Sequence, residues 1–149
     1  MKRAVLSAAL AVVFMAGMSA QGKPSFAGKW KADNSYNLWT ITVDGSRMTL
    51  TTTVAGNTSE PTVYMLDGTP STATMEGPNG QIKTVYTSTW EGDVLVTTIE
   101  APMMTRIERR SIEPDGTMKV QTNLTMLRGK PAPPAPPGAE APQVLKKVG

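Results

Sequence analysis

The chain contains no cysteine and no histidine. Without thiols there are no disulfides, no cysteine nucleophile and no thiolate metal ligands. Without imidazole there is no Ser-His-Asp triad and no histidine general base. Aromatic residues are 5% of the sequence and charged residues 18%, a composition unlike that of a charge-rich disordered chain. Gly-rich phosphate loops, nucleophile elbows and calcium-loop spacings are also missing. Asp44, Asp67 and Asp115 fall in turn positions, so the acids form no evident catalytic pair. The expectation is a protein that is not an enzyme and that uses no cofactor and no metal.

Charge of one sign is scarce as well. The formal net charge is +3, and Lys2 and Arg3 supply two of those charges. From residue 21 onward there are 13 basic and 12 acidic residues, and over 21–130 the counts are 11 and 11. Displacing counterions from nucleic acid requires a basic stripe. The local cluster Arg106, Arg109 and Arg110 encloses Glu108, so nucleic acid is not an expected partner. The first residues do read as an export signal. Lys2-Arg3 precede an apolar run from Ala4 to Ala16, and the small residues Gly17, Ser19 and Ala20 follow. That run is shorter than the ~20 residues of a comfortable bilayer span. Cleavage after Ser19 or Ala20 is expected, with no stable membrane span afterwards and a secreted or periplasmic mature chain.

What dominates the rest is alternation. Met48, Leu50, Thr52 and Val54 share one face of an extended run, and Arg47, Thr49, Thr51 and Thr53 share the other. Residues 81–90 and 117–128 alternate in the same way. Period two with β-branched enrichment predicts half-buried strands. Asp44-Gly45, Asp67-Gly68, Asn79-Gly80, Glu91-Gly92 and Asp115-Gly116 supply the turns between them. Strands are predicted at 27–32, 37–43, 47–55, 61–66, 71–76, 81–90, 93–100, 104–113 and 117–128. An antiparallel meander of this size leaves exposed edges unless it closes. The predicted fold is therefore an all-β up-and-down barrel of about 8–9 strands, with a two-sheet sandwich as the alternative. After Arg128 the run Pro131-Ala132-Pro133-Pro134-Ala135-Pro136-Pro137-Gly138 favours polyproline II. Three segments are expected: a signal peptide at 1–20, a barrel domain at 21–128, and a disordered Pro-rich tail at 129–149.

Phe26-Ala27-Gly28-Lys29-Trp30 opens the first predicted strand. It resembles the Gly-x-Trp opening of lipocalins and related calycin barrels. More closely, residues 25–128 resemble the small secreted lipocalin-like β-domains of bacteria, which begin Phe-x-Gly-x-Trp-Lys and continue as Thr-rich strands with Asp-Gly turns. Most such proteins have no assigned biochemical role. The resemblance implies that Gly28 and Trp30 close one end of the barrel, with a late arginine packed over the tryptophan. Arg128 is the best-placed match, and Arg106 and Arg109 are alternatives. The sequence departs from lipocalins in lacking a Thr-Asp-Tyr segment, a C-terminal helix and a disulfide.

Two functions from different classes follow. In the first, the barrel binds a small hydrophobic or amphipathic ligand. Trp39, Tyr64, Tyr86 and Trp90, with Met65 and Met104, are the candidate ligand-binding residues. Each of these is also an ordinary core residue, and methionine is a common gap filler. In the second, the barrel is filled by its own side chains. It then serves as an envelope interaction or inhibitor module, docking a protein partner through its outer face or Pro-rich tail.

Overall fold

A computed structural model describes residues 22–149; the expected signal peptide lies outside the described residues. All nine predicted strands are present, with ends within two residues of the predicted ones. They are β1 (Gly28–Lys31), β2 (Leu38–Asp44), β3 (Arg47–Val54), β5 (Thr62–Met65), β6 (Ser71–Gly77), β7 (Gly80–Glu91), β8 (Val94–Ala101), β9 (Met104–Ile112) and β10 (Met118–Leu127). Three more were not predicted: β4 (Asn57–Thr58), β11 (Lys130–Pro131) and β12 (Gln143–Val148). Every pairing is antiparallel, and the order is β4-β3-β2-β1-β12-β10-β9-β8-β7-β6, with β5 on β3 and β11 on β10. The expectation of an all-β antiparallel architecture is met.

The closure differs from the expected one in two respects. First, the C-terminal segment is not a disordered tail throughout. Residues 143–148 form β12, which is inserted between the first strand and β10. Its Leu145 is 0% exposed, directly opposite Met118. An apolar side chain at that point fills the core, and the strand's backbone satisfies two sheet edges at once. Second, the hydrogen-bonded ladder does not run all the way round. No ladder joins β5 to β6. That seam is bridged by side chains. The Ser71 hydroxyl donates to the Val63 carbonyl, and the Tyr64 and Tyr86 rings meet edge-on with centroids 5.4 Å apart.

One end of the barrel is closed and packed. Trp30, 2% exposed, donates its indole N–H to the Phe26 carbonyl at 2.8 Å. Phe26 stacks on Trp90 with centroids 5.9 Å apart and planes 8° from parallel. Ile41, Met48, Leu95, Met118 and Leu145 complete this core. The cation over Trp30 is Lys147, its ammonium 5.6 Å from the ring centroid. Arg128 does not fill that role. It is exposed, with φ 51°, in a two-residue turn with Gly129 at φ 74°. Positive φ at both central residues is the geometry that matches hairpin twist. Gly28 is favoured by its backbone conformation, and any side chain there would push the Lys147 stem aside. A Cβ there would lie 2.6 Å from Lys147 Cε, and φ is 139°.

Candidate functional site

Cross-strand register shows what fills the interior. Ser88 lies opposite Thr97, Thr97 opposite Glu108, and Glu108 opposite Thr122. One transverse row across four strands is therefore polar throughout, in a barrel whose adjoining rows are mostly apolar. Ser88 and Thr97 are fully buried and share a hydrogen bond of 2.8 Å. On β9, Arg106, Glu108 and Arg110 alternate with Thr105, Ile107 and Arg109, so the first three share the inward face.

Arg110 is the plug. Only 1% exposed, it bonds Glu108 through Nη2 at 2.6 Å. Its guanidinium carbon lies 5.2 Å from the Tyr64 ring centroid, 5.8 Å from that of Trp39 and 6.0 Å from that of Phe26. Aromatic faces favour a cation at such distances, by about 0.5–2 kcal/mol each. Nη1 lies 3.7 Å from the Met48 sulfur. Arg110 and the rings around it thus fill the interior at this level.

Burial among these groups pushes the Tyr64 phenol up to about 12, with the Glu108 charge adding to the shift and Arg110 opposing it. The Tyr86 phenol is also raised, chiefly by burial. A folded-state pKa above the ordinary 10.0 means that the folded chain keeps a proton that the unfolded chain loses. The contribution of Tyr64 is whole below pH 10 and is lost as the pH rises towards 12, up to roughly 2–3 kcal/mol. Urea unfolding at stepped pH should show wild type losing more stability than Tyr64→Phe across that window. Parallel curves for the two proteins would refute this.

Above the plug the barrel opens. One cleft of ≈ 320 Å³ is walled by Trp39, Arg106, Glu108, Val120, Thr122 and Gln143, with Ala139 and Ala141 reaching over from the C-terminal segment. A second, of ≈ 390 Å³, shares Arg106, Thr122 and Ala139 and adds Met104, Leu124 and the prolines at 133, 134 and 136. The Pro-rich segment is laid along the mouth and is held at both ends. Ala132 donates to the Thr125 carbonyl at 2.9 Å, and Gln121 reaches the Glu140 carbonyl at 3.5 Å. Proline lacks a backbone donor, so this segment can cover a sheet edge without needing a ladder partner of its own. A third cleft, ≈ 480 Å³, lies at the closed end beside Lys23, Phe26, Asp67 and Trp90. Its main aromatic surface is already covered, because Phe26 stacks on Trp90 and the Lys23 ammonium lies 5.7 Å above that ring.

The six candidate ligand residues do not converge. Trp39 and Met104 line the mouth clefts. Tyr64 and Tyr86 pair across the seam at the level of the plug. Trp90 belongs to the closed end. Met65 follows the inward Tyr64 and lies on the opposite face of β5. Arg106, Glu108 and Thr122 were missed as site residues. Their signal was available: charges of alternating sign at period two, Arg106-x-Glu108-x-Arg110, can neutralise one another on one strand face. Glu108 does so with Arg110 on its own strand, not with a partner across the sheet.

The fold is an all-β antiparallel sheet curled around a packed interior, with clefts at one end. A solved structure of this architecture is that of a secretary abundant heat soluble (SAHS) protein from Ramazzottius varieornatus. It is similar over 83% of this chain and 95% of its own, with a TM-score of 0.55 and 13% sequence identity. That likeness is one of fold. No protein-family model matches the sequence, and no curated protein matches it.

Proposed function

We propose that this chain is an exported, non-catalytic barrel protein that holds a small amphipathic ligand in its mouth. The observation that carries the reading is the pair of adjoining clefts in which Trp39, Val120 and Leu124 face the polar groups of Arg106 and Thr122. Apolar ligand surface buried there contributes roughly 25 cal/mol per Å², and a few fixed polar groups orient the ligand. Volumes of ≈ 320 and ≈ 390 Å³ lie within the range of small-molecule sites. The leader-like residues 1–20 support export, as does a structural neighbour named as a secretary protein. The packed lower half is what an interaction or inhibitor module would have. The Pro-rich segment, however, forms a wall of the mouth in place of a free docking arm, which favours the ligand reading.

Titrating isotope-labelled protein with indole and cyclohexanol tests it by amide chemical shifts. Saturable changes centred on Trp39, Thr122 and Gln143, with Kd of about 1 mM or tighter, are expected. Thr122→Trp, which fills the junction of the two clefts, should abolish them. No saturable change, or changes confined to the outer face, would sink the proposal.

A further inference from the structure

Taking the mouth as the ligand site, we infer that the ligand is a small apolar carboxylic acid and that Arg106 receives its carboxylate. Arg106 lines both mouth clefts. Its Nε is buried and has no hydrogen-bond partner. The residues facing it across the ladder are Ile99 and Leu124, whose side chains cannot accept a hydrogen bond. The acid nearest along its own strand face, Glu108, is already committed to Arg110 at 2.6 Å. Arg106 has no ion pair among the described residues.

A buried, unmatched donor is disfavoured unless something completes it. A guanidinium offers Nε–H and an Nη–H side by side, spaced to match the two oxygens of a carboxylate. Trp39 and Val120 provide the apolar wall for the rest of the molecule. Arg110 also has a buried Nε without a partner, but it lines neither mouth cleft and its charge is already paired. Glu140 of the Pro-rich segment lines the second cleft, is exposed, and opposes an incoming anion.

The test compares cyclohexanecarboxylate with cyclohexanecarboxamide, matched in shape, on the full chain at neutral pH by calorimetry. The acid is expected to bind about 10-fold tighter. Arg106→Gln should remove that preference, while Arg106→Lys, which keeps the charge and loses the fork, should retain only part of it. Glu140→Gln should tighten the acid by about 2-fold and leave the amide unchanged. A cooperative thermal melt establishes that each variant is folded, and the acid-to-amide comparison in unsubstituted protein needs no variant. Equal binding of both compounds overturns the carboxylate inference and leaves the mouth site standing. A preference that survives in Arg106→Gln overturns the assignment to Arg106. Binding of neither removes the mouth site and this inference together.

Discussion

Replacing Glu108 by alanine should destabilise the fold by about 3–5 kcal/mol, the cost of stranding a buried charge. The reason lies with the residue left behind. Arg110 is 1% exposed, and Glu108 is its ion-pair partner among the described residues. Rings of Phe26, Trp39 and Tyr64 surround the guanidinium and help to hold it, yet they cannot neutralise a full charge out of water. Glu108 also lines one of the mouth clefts. The double replacement Glu108→Ala with Arg110→Met removes both charges, and should recover most of the loss. Urea unfolding of the two single variants and the double variant forms the cycle. A loss under about 1 kcal/mol for Glu108→Ala would show that water reaches Arg110.

Ending the chain at Pro142 is expected to abolish cooperative unfolding altogether. That truncation deletes β12, exposes the facing edges of β1 and β10, and empties the place of Leu145. The milder change Leu145→Ala should cost about 2–5 kcal/mol, from lost burial together with the cavity left behind. The two experiments separate packing from pairing, because Leu145→Ala keeps every backbone hydrogen bond of the strand. Ending the chain at Arg128 should be at least as damaging as ending it at Pro142. A truncated protein with a sharp thermal transition and a dispersed amide spectrum would show that β1 and β10 can seal without the inserted strand.

The strands themselves were legible because their causes are local. Side chains alternate across a strand, so Met48 and Leu50 announce a buried face from sequence spacing alone. The positions of Asp-Gly and Asn-Gly mark hairpins because those residues tolerate turn conformations. The expectation that Trp30 seals one end came from the Gly-x-Trp resemblance, and the ring is buried. The matching expectation for Arg128 failed, because a motif names a residue type without saying which cation arrives. Lys147 arrives on a strand that the prolines before it had hidden. Gln143–Val148 has one core residue and two lysines, which by itself reads as a solvated end. It is a strand because β1 and β10 both offer unpaired edges beside it.

Local periodicity and turn chemistry settled, from the amino acids alone, that this chain is an antiparallel meander. Tertiary structure alone decided that Arg106, Glu108 and Arg110 point inward, that β12 completes the wall, and that the Pro-rich segment roofs the mouth. The physical reason is that alternation assigns residues to two faces without saying which face is dry. Burying Arg110 becomes favourable only once Glu108 stands 2.6 Å away and three aromatic rings lie near the guanidinium, and that surrounding exists only when distant strands have come together.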